Sequence, residues 1–329
     1  MAFPALNELK ALSAKLGSDP LLVQAAGGNT SVKHQGTMWI KASGTWLQDA
    51  AIKDIFVPLH LRQLQAALAA DSAACESCID FVHHEQNRQN LRPSIETSVH
   101  GLMPQQVVLH VHCVNAIAWA IQADAAKLLA ARLANFNWSF VPYARPGLEL
   151  ARAIKSAMAP GTDVLILGNH GLAVAAETVT DAHKLLLSVV AALQRKPRTA
   201  KNPNTAKLQA VAAGTNYVLP TEPRVHSFAM EKSVCKLAAN NVYYPDHVVF
   251  LGAKVPQDFA SDASAIAIPS GGVLVHKNAK QSVEPMLACL SEVFLRLDST
   301  DELKPLTDDE VARLLNWDAE KYRQTLSMA

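Results

Sequence analysis

Charge and cysteine are both scarce in this sequence, and each scarcity removes a class of function. Of its 329 residues only 18% are charged, and 30 Lys and Arg stand against 29 Asp and Glu. Nucleic acid and anionic membrane are therefore not expected as partners, because both select an excess of cationic side chains. Five cysteines without framework spacing do not make a disulfide scaffold and fit a reducing compartment. No stretch approaches the ~18 uninterrupted apolar residues of a membrane span. Met1 to Leu16, broken by Pro4, Glu8, Lys10 and Lys15, carries no apolar signal segment. A cytoplasmic protein is the expectation. Neither a GxGxxG fingerprint, a phosphate loop nor a GxSxG elbow occurs.

What is present is apolar: half of the chain, enough to bury a sizeable core in two domains. Leu9, Leu12 and Leu16 have helical spacing and stop at Gly17; a second short helix is expected from Pro20. Ser31 to Lys33 and Thr37 to Lys41 read as a hairpin around Gln35-Gly36, and Ile55 to Leu59 as a strand before a helix through Leu61, Leu64 and Leu68. Ser94 to Met103 is expected to be helical and Val107 to Cys113 a buried strand. Leu128 to Phe136 and Pro146 to Ala157 follow as helices. Asp163 to Leu167 and Leu172 to Ala176 are strands, and Thr180 is expected to cap a helix to Leu193. The basic, proline-punctuated stretch from Arg195 to Asn204 reads as a linker between a domain over 1–198 and another over 206–329. Leu165 to Arg195 and Ile266 to Arg296 share the order strand, turn, strand, turn, helix. A degenerate repeat is one reading of that echo, with Gly271 opposite His170; chance likeness between two strand–helix units is the other.

Three histidines attract attention. His110 and His112 are two apart on an expected strand, so both side chains face one way and can converge on one ion. Two half-buried histidines satisfied by neighbours would look the same. His170 lies at a strand end between Gly168 and Gly171, where bare backbone lets an imidazole reach a cleft. Three histidines with an open position match a catalytic zinc, and imidazole suits a d-block ion better than magnesium or calcium. Glu96 is placed to act as general base or displaceable ligand, or else caps a helix start. The turns Gly27-Gly28-Asn29-Thr30-Ser31 and Ser43-Gly44-Thr45, with Ser94, could cradle a phosphate or carboxylate. Cys75-Glu-Ser-Cys78 before His83-His84 is a weaker second metal candidate, and Cys113 reads as packing.

In order, Gly28-Asn29-Thr30-Ser31, Lys41-Ala-Ser43-Gly44, Ser94-Ile-Glu96, His110-Val-His112 and Asn169-His170-Gly171 resemble the class II aldolase/adducin family over about residues 7–195. The resemblance implies an α/β/α sandwich around a mainly antiparallel sheet, with a smaller C-terminal α/β domain added. It implies zinc, or another divalent transition metal, on His110, His112 and His170. It implies substrate contacts from Gly28, Asn29, Ser43, Gly44 and Ser94, Glu96 as acid/base, and a homo-oligomer, usually a tetramer. The implied activity is cleavage of a carbon–carbon bond in a ketose or ketose phosphate through a metal-stabilised enediolate. Epimerisation or decarboxylation at the same site, and a non-catalytic adducin-like scaffold, are the alternatives. Ile95 stands where aldolases of the family carry a second serine, which bears on whether the substrate is phosphorylated. Tyr244-Pro-Asp-His247 and Leu314 to Arg323 look similar to the middle of longer proteins that fuse such an aldolase to a dehydrogenase. Tyr217, Tyr243 and Tyr244 are candidates for a proton-donating tyrosine.

Overall fold

A computed structural model describes residues 3–259 and 263–317. The chain divides into two compact units. The first comprises 1–120 and 124–194; the second comprises 121–123 and 195–329. The stretch expected as a linker thus belongs to the second unit. There Arg195 pairs with Asp298 and Asp301 at 3.0 and 2.7 Å, and Arg198 with Glu231 at 2.9 Å.

The first unit is built on strands β1 (Asn29–His34), β2 (Thr37–Lys41), β3 (Phe56–His60), β4 (Val107–Val111), β5 (Trp138–Val141), β6 (Val164–Leu167) and β7 (Gly171–Ala176). They form one seven-stranded sheet in the order β3-β2-β1-β4-β7-β6-β5. Every pairing is antiparallel except β5 with β6. Strict alternation sends neighbouring side chains to opposite faces. Val107, Leu109, Val111, Ile166, Leu172 and Val174 pack in one core with helices α1 (Pro4–Gly17) and α7 (Val179–Ala192). Val108, Leu165, Leu167, Ala173 and Ala175 pack on the other face with α3 (Thr97–Leu102) and α6 (Leu148–Ala157). Helix α2 (Leu61–Ala69) covers β2 and β3 on that second face through Leu64 and Leu68. Short helices α4 (Val114–Ala120) and α5 (Ala125–Ala130) follow β4. The result is the mixed, mainly antiparallel α/β/α sandwich expected.

Four local expectations need correction. The residues after Pro20 form turns rather than a helix, with Leu22 and Val23 N–H both donating to the Asp19 carbonyl at 3.0 Å. The Leu21 carbonyl is drawn off to the Val114 N–H, which leaves too few bonds for a helical turn. The helix expected from Ser94 begins only at Thr97, so Ser94 and Glu96 precede it. The helix expected over Leu128 to Phe136 is α5, which ends at Ala130. Thr178, not Thr180, caps α7, its hydroxyl accepting from the Asp181 N–H at 3.1 Å.

The second unit carries β8 (Tyr217–Val218), β9 (Ala265–Ile268) and β10 (Gly272–His276) in a separate three-stranded sheet of order β8-β10-β9. Helices α8 (Thr205–Ala212), α9 (Lys232–Asn240), α10 (Pro245–Leu251), α11 (Val283–Leu295) and α12 (Asp308–Leu315) belong to it. Ten of the 13 residues of α11 are buried, as a central core helix requires. Among the described residues, no helix is long and apolar enough to cross a membrane. The end of the Leu314 to Arg323 motif, from Asp318, lies outside the described residues.

Candidate metal centre

Strand β4 delivers the first histidine. Its apolar residues Leu109 and Val111 face the α1/α7 core, so His110 between them must point to the opposite face. His112 sits one residue past the strand end, yet keeps the i, i+2 relation, and its ring lies 4.9 Å from that of His110. The turn between β6 and β7 supplies the third. Asn169 there takes a left-handed conformation, φ 52°, which asparagine tolerates. The turn carries the His170 ring to 5.1 Å from both of the others.

Close backbone approach makes room for this convergence. A Cβ on Gly171 would lie 2.7 Å from the Val111 carbonyl and 3.3 and 3.4 Å from the rings of His110 and His112. At Gly28, with φ +60°, a Cβ would meet the His110 carbonyl at 2.9 Å. Asn29 pairs directly with His110 across β1 and β4, so this glycine lets the two strands deliver both residues to one spot.

Glu96 closes the group from the other side. Its two oxygens split between histidines, Oε2 at 3.3 Å from His110 Nε2 and Oε1 at 3.4 Å from His170 Nε2. Ligand atoms of Glu96, His110, His112 and His170 all lie within 4.8 Å of one another, and all four residues are buried. Burial acts on the Glu96 carboxyl most strongly and pushes its pKa up. The three imidazoles, His110 foremost, and the Asn29 amide outweigh it together and hold the pKa at about 2.

The donor set fits a cation. His110 Nδ1–H donates to the Leu172 carbonyl at 3.1 Å, which fixes the tautomer whose Nε2 lone pair is turned toward the group. That lone pair faces His112 Nε2 at 3.0 Å. Two imidazole nitrogens, a third close by and one carboxylate make the ligand chemistry of a d-block divalent ion.

The remaining expected site residues gather beside it. Asn29 donates from Nδ2 to Glu96 Oε2 at 2.7 Å. The β-bridge between Ala42 and Pro93 sets the Ser43-Gly44 turn next to Ser94. Ser43 N–H donates to the Arg92 carbonyl, and Ser94 N–H to the Lys41 carbonyl. Ser94 Oγ accepts from the Glu96 N–H at 3.2 Å. The Ser43 hydroxyl is buried and has no hydrogen-bond partner within the described residues.

Other candidates are placed elsewhere. Cys75 and Cys78 are buried in the α2 core, where Cys78 Sγ–H donates to the Cys75 carbonyl at 3.3 Å. Among the described residues the metal-competent group is the Glu96 cluster alone. Cys113 packs in the α1/α7 core. Tyr217 donates to the Ala263 carbonyl at 2.8 Å, and Tyr243 and Tyr244 are buried in the second unit.

Sequence reasoning missed His100. It lies on α3, four residues after Glu96, fully buried between Ser31 and Asn29. The i, i+4 spacing from a candidate catalytic carboxylate was the signal that could have found it.

Comparison with known proteins agrees with this geometry. The class II aldolase and adducin N-terminal domain family matches residues 7–195. The chain belongs to that family. An uncharacterized oxidoreductase, YuxG, of Bacillus subtilis is 30% identical over 197 residues, which are 56% of this chain and 28% of that protein. The chain thus spans under a third of this curated relative. The solved N-terminal class II aldolase domain of a conserved Thermoplasma acidophilum protein superimposes with a TM-score of 0.50 at 26% identity, covering 59% of this chain and 94% of that one. An L-fuculose-1-phosphate aldolase from Thermus thermophilus is 16% identical with a TM-score of 0.36, over 63% of this chain and 98% of its own.

Proposed function

We propose that this class II aldolase family member is a zinc-dependent lyase that cleaves a carbon–carbon bond of a ketose or ketose phosphate. The observation that carries the reading is the placement of one buried, ionised carboxylate between two of three convergent imidazoles. A scaffold would have no use for that arrangement, since a buried charge with its partners costs more than an apolar core of equal volume.

His110, His112 and His170 would hold the ion, with one position left for substrate. When bound, the ion supplies positive charge against the negative charge that develops on substrate oxygens as the bond breaks. Glu96 moves the proton. It is ionised across the neutral range, so it begins as the base and returns the proton as the acid. Asn29 holds Oε2 and so fixes which oxygen faces the substrate. The unpartnered Ser43 hydroxyl, the Gly44 backbone and Ser94 offer hydrogen-bond donors to an anionic substrate end, a phosphate or a carboxylate. Burial of the whole group excludes bulk water and strengthens each of these contacts. By family analogy the active form is a homo-oligomer, and the site lies in a cytoplasmic enzyme of carbohydrate metabolism.

Elemental analysis of protein purified without a histidine tag tests the site, followed by a cleavage screen over ketoses and ketose phosphates that starts from L-fuculose 1-phosphate. About one zinc per chain and two-fragment products are expected. Absence of bound metal, also after dialysis against zinc, would sink this reading, and a single isomeric product would move it to epimerisation.

A further inference from the structure

We infer that His100 is a positioning residue that locks the Asn29 amide in the one orientation able to hold Glu96. The inference rests on the reading of Glu96 as the proton-transferring carboxylate.

Four side chains form a row in which each fixes the next. Asn29 and Ser31 are two apart on β1 and so share a face. Glu96 and His100 are four apart at the start of α3 and lie one above the other. These two pairs meet in a fully buried row: Ser31 Oγ at 2.7 Å from His100 Nδ1, His100 Nε2 against Asn29 Oδ1, and Asn29 Nδ2 at 2.7 Å from Glu96 Oε2. A side-chain amide can be turned over, exchanging its oxygen and its NH2. Toward an ionised carboxylate only the NH2 is acceptable, because two acceptors at that separation repel. The amide oxygen is then committed to His100, whose Nε2 must carry the proton. His100 is neutral, because burial holds its pKa at about 3, so its Nδ1 is bare and must accept. Ser31 therefore donates its hydroxyl proton to it. Each of the three contacts then joins one donor to one acceptor, and with Glu96 ionised and His100 neutral no other assignment does so. The hydroxyl of Ser31 thus selects the imidazole tautomer, the tautomer selects the amide orientation, and the amide holds the carboxylate.

The test uses the full-length, zinc-loaded protein and nuclear magnetic resonance of 15N-labelled side chains. At pH 7 His100 is expected as the Nε2–H tautomer, and Ser31→Ala should convert it to a tautomer mixture. The Asn29 NH2 protons should exchange slowly with solvent. His100→Phe, which keeps the ring and removes its donor, should speed that exchange about tenfold or more. His100→Gln, which restores an N–H donor, should return it toward the native rate. Zinc content should stay unchanged in both. A His100 ring protonated at Nδ1 overturns the inference, as does an Asn29 NH2 that exchanges at the native rate in His100→Phe. A merely structural role would lower stability in both variants without discriminating between them. Should His100→Phe not fold, the tautomer in the native protein decides alone. These readouts need no turnover, so they stand apart from success or failure of the cleavage screen.

Discussion

The hairpin of β6 and β7 in the first unit and the hairpin of β9 and β10 in the second share a register and a turn type but carry different side chains. The first closes on the pair Leu167 and Gly171, the second on Ile268 and Gly272. Each turn has its middle residue left-handed, Asn169 at φ 52° and Ser270 at φ 56°. The next N–H in each returns to the residue three before it, His170 to Leu167 at 3.1 Å and Gly271 to Ile268 at 2.8 Å. A third strand joins both in matching register, Leu109 against Val174 and Val218 against Val275. One and three residues beyond Leu109 stand His110 and His112; the same steps from Val218 give Leu219 and Thr221. The positions of the three histidines thus hold Leu219, Thr221 and Gly271 in the second unit. Shared geometry alone gathers no metal ligands; three imidazoles and Glu96 on that geometry make a candidate for one.

The sharpest way to break this contrast is His170→Ala. It should take zinc from about one per chain to near none by elemental analysis, because two imidazoles without the third lose the chelate; retained zinc would mean that metal binds elsewhere. Glu96→Gln comes next. It should keep the zinc and lower the rate of cleavage by ~10²- to 10⁴-fold, the usual worth of a positioned acid/base group, and a fully active variant would remove Glu96 from the mechanism.

Two buried histidines differ between the units as well. In the first unit His100 has both ring nitrogens engaged, whereas in the second neither nitrogen of His247 has a hydrogen-bond partner. Burial holds the pKa of His247 down at about 4, against an ordinary 6.5. Below pH 6.5 the unfolded chain therefore takes up a proton that the folded chain refuses. Stability falls from pH 6.5 toward pH 4, by up to about 3 kcal/mol from this group. His247→Phe should flatten that slope in urea titrations across the range and cost little at pH 7; an unchanged slope would show that this histidine is not held neutral. The smallest effect belongs to Gly271→His. With Leu219 and Thr221 beside it, the new imidazole should bind no second zinc. Its Cβ would press Ile268 at 2.9 Å, so about 1 kcal/mol of stability should be lost. A second zinc would mean that the missing ligands are supplied from elsewhere in the second unit.

Much of the sheet was legible because its strands advertise themselves. Val107 to Val111 is continuously apolar around one histidine, as a central strand buried on both faces must be. The Gln35-Gly36 turn is marked by a glycine at φ +81°. Strand β5 escaped notice: Trp138 to Val141 is only four residues, and its pairing with β6 makes it a strand. Propensity also overextended α3, because the bridge of Pro93 and the backbone bond of Ser94 to β2 hold those two residues to the sheet, and a turn at Ile95 and Glu96 intervenes before the helix begins at Thr97. At the site, identity was easier to read than arrangement. The histidines stood out by type, and Glu96 by its neighbours in sequence. What joins Glu96 to Asn29, and Asn29 to His100, is contact between residues roughly 70 apart, and no local pattern announces it.

The chain visits the second unit twice. Between α4 and α5 it leaves the first unit for three residues, where the Ile121 carbonyl accepts from the Lys304 N–H and the Ala123 N–H donates to the Glu302 carbonyl, both at 2.8 Å. A fragment ending at Gln194 would deprive both of these backbone groups of their partners, in the segment that directly follows the helix after β4. A single cut after Gln194 therefore does not separate all of the first unit's residues from all of the second's. The chain crosses the boundary between the two units three times, after Ala120, after Ala123 and after Gln194.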